Sequence, residues 1–416
     1  MRTEVIVGLA VVAAGLVAGC SADASPRDDD HSASITQASR VDSDDDADDD
    51  DGGRASVRAG RELFFNEFPG VEGNGRTCAT CHVKDDGFAL TPAHVQERWD
   101  RLQKARRHNP KADDPLFRSI DADDFANDFS NLKRGLVRVV LKLPTDADGN
   151  KLIWPLDNPG ATSVDVFRAV PSVYNVAFTA PYQADGRFAT LQQQAQGALD
   201  AHAEAKRKPA SVFLDDVTAF EQTQFSSHRT RRLADALASG GPLPSTEPKN
   251  LTPLEQQGQA LFALNCGTCH GGPSGTMPIP PLANVQDIMV SKPLPPFAAD
   301  LPFPPSPPLR VRLWAVRIPG APGPAVRPST DPGKALISGN MNDFAQFDVP
   351  TLFGVRKTAP YFHDNSASDL TQVMKHYQQL FTAVRRVVPP EVPFPIRPLP
   401  LADEDIAPLV AYVSRL

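Results

Sequence analysis

The sequence holds only five cysteines in 416 residues, too few to staple a chain of this length as a disulfide scaffold. The apolar run from Val5 to Ala18 is fourteen residues, short of what a bilayer span needs. The basic excess of a nucleic-acid binder is missing too: 42 Lys and Arg face 50 Asp and Glu, a formal net charge of −8. Long uninterrupted helix is excluded by 41 prolines, about one residue in ten. What acidity there is belongs to one place. Residues 21–55 carry twelve Asp against three Arg, so the rest of the chain is close to neutral.

The Val5–Ala18 run suits the apolar region of an export signal. It ends Leu16-Val17-Ala18-Gly19-Cys20, which resembles a bacterial lipobox. Residues 1–19 then form a signal cut before a lipidated Cys20; an ordinary secretory signal with a chance cysteine is the alternative. Residues 20–55 have almost no large apolar side chains to offset the entropy of ordering, and are expected to be an acidic disordered tether. Calcium binding by Asp42–Asp51 is a competing use. The expected location is the periplasmic side of a bacterial envelope, with a lipid anchor in the membrane. Ser21 after the cysteine points to the outer membrane.

The other four cysteines carry the chemistry. They stand as Cys78-Ala79-Thr80-Cys81-His82 and Cys266-Gly267-Thr268-Cys269-His270, each the C-x-x-C-H attachment motif of c-type haem. Two thiols one helical turn apart add to the two vinyl groups of one porphyrin, and the adjacent imidazole, His82 or His270, takes the iron. The rival reading is a zinc site built from both C-x-x-C pairs. A histidine after each pair and the 185 residues between Cys81 and Cys266 speak against it.

The chain also repeats itself. Gly60-x-x-Leu63-Phe64 precedes the first motif and Gly258-x-x-Leu261-Phe262 the second. Val170-Pro171 … Thr179-Ala180-Pro181-Tyr182 … Asp185 … Leu191 recurs 179 residues later as Val349-Pro350 … Thr358-Ala359-Pro360-Tyr361 … Asp364 … Leu370. Two domains of common plan follow, 56–250 and 251–416, with the boundary near Ser239-Gly240-Gly241-Pro242. Thr252-Pro253-Leu254-Glu255 is a capping box that starts a helix to about Leu264. Ile406, Leu409, Val410 and Val413 predict a C-terminal helix packed across Gly258 and Phe262. Residues 273–332, with seventeen prolines, read as extended loop. The fold class expected is mainly α, two haem domains with long Pro-rich loops.

These marks, with Asp185-Gly186-Arg187, Gln194-Ala195 and Ala359-Pro360-Tyr361-Phe362-His363, resemble the bacterial di-haem cytochrome c peroxidase/MauG family over residues 56–416. The resemblance implies two cytochrome c-like α domains, a peroxidatic N-terminal haem and an electron-transferring C-terminal haem. It implies a distal pair, Gln194 and Glu204, of which Glu204 is otherwise readable as a plain surface residue. Counting fourteen residues from His363 reaches Tyr377, the axial tyrosine of MauG-type members, where peroxidases of the family carry Met. Met374 and His376 are the competitors. His94, twelve residues past His82, is a candidate cap for the first iron or simply the start of a helix capped by Thr91. Two departures stand out: Ala184 replaces the tryptophan that lies between the haems in the family, and Ala169 replaces the asparagine of its interdomain calcium site, although Thr358 and Pro360 match that site's backbone ligands.

The function expected is reduction of hydrogen peroxide, with electrons from a small redox protein entering at the C-terminal haem and passing to the N-terminal one. A MauG-like oxidase of a protein or organic substrate and a non-enzymatic electron-carrying lipoprotein are the alternatives. The resemblance also allows a homodimer.

Overall fold

The structure is a computed structural model that describes residues 50–123, 128–272, 309, 311–387 and 399–416. The export signal, Cys20 and most of the tether lie outside the described residues. Helix α1 (Asp50–Phe65) leads to α2 (Cys78–Cys81), the single turn of the first C-x-x-C, and to α3 (Pro92–Arg106). Strands β1 (Leu136–Lys142), β2 (Ile153–Pro155) and β3 (Ser163–Ala169) follow, then α4 (Leu191–His202), α5 (Ser211–Glu221) and α6 (His228–Ser239). The second half runs α7 (Pro253–Asn265), α8 (Gly267–His270), β4 (Arg312–Val316), β5 (Ala325–Ser329), α9 (Ala335–Ser338), α10 (Leu370–Val387) and α11 (Asp403–Val413). Among the described residues, no helix is long and apolar enough to cross a membrane. Helix α1 takes up the last six residues assigned to the tether.

Glycine and phenylalanine four residues apart share one helix face, and each half uses that face to cross a later helix closely. A Cβ on Gly60 would lie 1.8 Å from the Asp216 carbonyl oxygen of α5, and one on Gly258 would lie 2.0 Å from the Pro408 carbonyl of α11. The flanking rings repeat the geometry: Phe64 and Phe220 have centroids 5.2 Å apart at 58°, Phe262 and Tyr412 5.3 Å apart at 58°. The capping box on Thr252 and the packing of α11 over Gly258 are as the sequence predicts. Gly60→Ala is expected to cost at least about 3 kcal/mol, because two backbones must part. Gly53→Ala, on the same helix with nothing within 4 Å, should be neutral or stabilising by up to about 1 kcal/mol. Urea unfolding of the pair checks this; equal effects would show that the crossing does not constrain position 60.

The strands are a correction to the mainly α expectation. The chain is helix-rich, but β1 pairs antiparallel with β3, and β2, β4 and β5 form a second sheet in the order β2-β4-β5. Part of the Pro-rich segment read as extended loop is therefore a β-hairpin. Pro328 is tolerated there because β5 is an edge strand, where a missing N–H breaks no ladder on its outer side. Pairing of Ile153 with Val316 joins the two halves of the chain, and Val139, Leu141, Val164, Val166, Trp314, Val316 and Leu336 share one core.

The internal repeat survives in the backbone. Asn175 and Gly354 hold φ of +68° and +80°, Gln183 and Phe362 +74° and +70°. The Tyr182 hydroxyl donates to the Val176 carbonyl at 3.0 Å, and that of Tyr361 to Val355 at 3.1 Å. The two copies then face each other. Ala169 N–H donates to the His363 carbonyl at 2.6 Å, and the repeat-related Asp348 N–H donates to the Ala184 carbonyl at 2.8 Å. The joint between the halves is thus reciprocal, as at a two-fold axis.

Candidate haem sites

Helix α2 is a single turn, with the Thr77 N–H held by the Thr80 hydroxyl at 2.9 Å. That turn brings the Cys78 and Cys81 thiols and the following imidazole to one place. His82 Nδ1 donates to the Phe88 carbonyl at 3.0 Å, which leaves the Nε2 lone pair for a metal. Burial lowers the His82 pKa, so the imidazole is neutral, as a ligand must be. Phe64, Phe88, Tyr174, Ala195 and Leu199 wall the space beside Cys78 with apolar surface. Arg76, just before the motif, is buried on Asp121 at 2.6 Å and on the Pro115 and Leu116 carbonyls. It anchors the turn to the segment before β1.

The second motif is built alike on α8, where His270 N–H donates to the Cys266 carbonyl at 2.9 Å. Burial pushes the thiols up, Cys81 to about 11 and Cys266 to about 12. Among the described residues, no group of three or more His, Cys, Asp or Glu side chains is placed to hold a metal ion, so the two C-x-x-C pairs do not converge on one. Two separate thiol pairs, each with its own imidazole and aromatic wall, fit two c-type haems.

The remaining candidate residues fall as follows. Gln194 is half-buried on α4, next to Ala195, which with Leu199 shares a core with Cys78 and Ala79. Glu204 lies just past the end of α4, exposed, at φ +51°, a left-handed conformation that costs a residue with a Cβ about 1–2 kcal/mol. Asn74 Nδ2 holds its Oε2 at 2.8 Å and the His202 carbonyl at 3.0 Å. On α10, Met374 is buried and Tyr377 half-buried, both packed with Cys266. Burial pushes the Tyr377 phenol up, with Cys266 and Cys269 adding to the effect. His376, on the same helix, is fully buried and turned toward the Phe362 ring, 4.7 Å between centroids. His94 N–H donates to its cap Thr91, and its Nδ1 lies 3.8 Å from Asp86. At the calcium-equivalent position, Ala169 offers its N–H to His363 and no side-chain ligand.

Residues 54–239 match the family model described as di-haem cytochrome c peroxidase. This segment, a little under half of the chain, is similar to that family. It carries the first attachment motif, Gln194 and Glu204. Among solved structures the chain is similar to a MauG-like protein associated with microbial copper homeostasis, with 17% identity over 91% of each chain and a TM-score of 0.44. It is also similar to the hydrazine synthase of Kuenenia stuttgartiensis, with 13% identity over 100% of each chain and a TM-score of 0.39. Both likenesses are slight. No curated protein matches the chain. The family match implies an oxidoreductase with two c-type haems, peroxidase-like or oxidase-like.

Three features of the chain have no counterpart among the residues singled out from the sequence. Glu221 is buried at the end of α5. His202 is half-buried beside Arg76 and Arg187, its value lowered to about 4 by burial, with Nδ1 lacking a hydrogen-bond partner. Arg168 is buried between Asp185 and Asp331. The repeat itself held a signal for the first, since the matching position in the second half is Val413.

Proposed function

We propose that the protein is an exported di-haem peroxidase that reduces hydrogen peroxide to water, with electrons from a small redox protein entering at the C-terminal haem. The observation that supports this reading is the reciprocal joint, Ala169 to His363 and Asp348 to Ala184, which ties together the two repeats that each follow a C-x-x-C-H motif. Haem supplies, when bound, an iron that accepts peroxide and exchanges electrons. Cys78 and Cys81 would hold the first and Cys266 and Cys269 the second, with His82 and His270 as proximal imidazoles.

The distal work falls to the chain's own side chains. Glu204 moves a proton from the inner to the outer oxygen of peroxide, as base and then acid, and the outer oxygen leaves as water. Asn74 fixes the carboxylate for this task through its hydrogen bond to Oε2. Gln194 donates its amide to the oxygens. Tyr377, beside both thiols of the second motif, is the preferred sixth ligand there, with Met374 one turn away as the alternative. His94 is assigned to Asp86 and the start of α3. A calcium ion at the joint would have to rely on the Thr358 and Pro360 carbonyls and water. In this reading Cys20 is lipidated, and the protein sits on the periplasmic side of the outer membrane, at the end of its acidic tether.

Tyr377 favours a second reading, a MauG-like oxidase of a protein or organic substrate, because a phenolate ligand lowers the haem potential. Optical and EPR spectra of the holoprotein, ferric and half-reduced, before and after peroxide, test the assignment. A high-spin signal that reacts rapidly with peroxide is expected. Two low-spin haems inert to peroxide in every state would make the protein an electron carrier. Reaction with peroxide that is not followed by turnover with a reduced donor protein would favour the oxidase.

A further inference from the structure

The close helix crossings align the two halves residue by residue. Gly60 meets Asp216 and Phe220 as Gly258 meets Pro408 and Tyr412. Val217 then matches Leu409, both fully buried, and the next position down the helix pairs Glu221 with Val413. Val413 is 2% exposed and Glu221 5%. The fold therefore fills this slot with an apolar side chain in one copy and a carboxyl in the other, so packing does not call for the acid. Its Oε2 has no hydrogen-bond partner, an arrangement that costs stability and that selection for packing alone would remove.

Glu221 faces the first haem motif. Its charge raises both the Cys78 thiol and the Tyr182 phenol, second to burial in each case. Those are the titratable groups turned toward it. The charged residues of the crossing helix α1 from Arg54 onward, Arg54, Arg58, Arg61 and Glu62, are exposed. Burial alone pushes the Glu221 carboxyl up to about 8.

Resting on the reading of Cys78 and Cys81 as a haem attachment, we propose that Glu221 is the proton-uptake site of the first haem. Reduction of the haem that Cys78 and Cys81 would hold, by one electron from the donor, would remove one positive charge from beside Glu221. The carboxylate loses the attraction of that charge and takes one proton from solvent, forming an O–H bond and breaking none within the protein. Electron and proton arrive together, and a charge change beside an apolar wall is neutralised within one turn of α5. The second haem, with Val413 in the slot, has no such site.

The test is a spectroelectrochemical titration of both haems in the holoprotein, for wild type, Glu221→Gln and Glu221→Val. In the wild type, the first potential should fall between about pH 6 and 9, by up to about 59 mV per tenfold drop in proton activity. Both variants should flatten that slope and leave the second potential alone. Glu221→Val reproduces the second half's own packing and so guards against misfolding. Stability gives a second readout. A carboxyl raised in the folded state makes stability fall as pH climbs from its unfolded value toward its folded one, so Glu221→Val should gain over wild type at pH 8 and lose that gain near pH 4. A retained slope in Glu221→Gln, with haem attached, overturns the inference alone. Absence of covalent haem on Cys78 and Cys81 overturns the attachment reading and the inference together.

Discussion

Peroxide turnover is expected to fall roughly 10²- to 10⁴-fold when Gln194 and Glu204 are both replaced by Ala, with haem content unchanged. The proton must cross from one peroxide oxygen to the other before the bond between them breaks, and Asn74 holds the Glu204 carboxylate at 2.8 Å while binding the end of α4 through the His202 carbonyl at 3.0 Å. Two features make the double variant a clean one. Gln194 is half-buried and Glu204 exposed, so neither deletion opens a core cavity. Alanine at 204 keeps the left-handed backbone at the same cost, so the loop is not relaxed by the change. The single variants should each carry most of the loss, since groups that act together on one step are not additive. Asn74→Ala should give a smaller loss in the same direction by freeing the carboxylate. Steady-state peroxide consumption with a reduced donor, set beside covalent haem absorbance, is the measurement. Unchanged turnover in the double variant removes both residues from the chemistry and returns Glu204 to the surface role its exposure would otherwise suggest.

What the sequence showed clearly was local or repeated. A C-x-x-C-H motif fits in one helical turn, and a cap such as Thr252 with Glu255 is decided within four residues. The repeat was legible because both copies use the same backbone, down to the tyrosine hydroxyls that close matching turns. The strands were hidden for a physical reason. Their partners lie far apart in sequence, as with Ile153 and Val316, and proline in β5 reads as loop unless the strand is known to be at an edge. Arg168 was hidden for a related one. It follows Val164 and Val166 on the inward side of β3, where alternation predicts an apolar residue, and only the tertiary fold brings Asp331 to it.

That arginine yields the largest expected stability effect. Arg168 is 3% exposed; its Nε and Nη2 lie 2.6 and 3.0 Å from the Asp331 carboxylate, and its Nη1 lies 2.5 Å from Asp185. Asp185 keeps a second partner, Arg187 at 2.9 Å, whereas among the described residues Asp331 has no second salt bridge and only the weaker pull of His363. Arg168→Met should therefore destabilise the protein by about 3–5 kcal/mol, the cost of leaving a buried charge uncompensated. The sign of the pH dependence follows from Asp331. Burial pushes its carboxyl up, and the Arg168 guanidinium more than offsets this, holding it below the ordinary carboxylate range. Its contribution is present above the unfolded carboxyl value and lost as pH falls through the folded one. Without Arg168, burial is opposed only by His363 and the Gly333 N–H, Asp331 protonates at higher pH, and the gap between variant and wild type should narrow on acidification. Replacing all three members, Arg168→Met with Asp185→Asn and Asp331→Asn, should recover much of the loss, because no bare charge then remains. Urea unfolding followed by far-ultraviolet circular dichroism at neutral and acid pH reads all of these. A loss that does not change with pH, and that the triple variant does not relieve, would mean that Arg168 acts by its bulk rather than its charge.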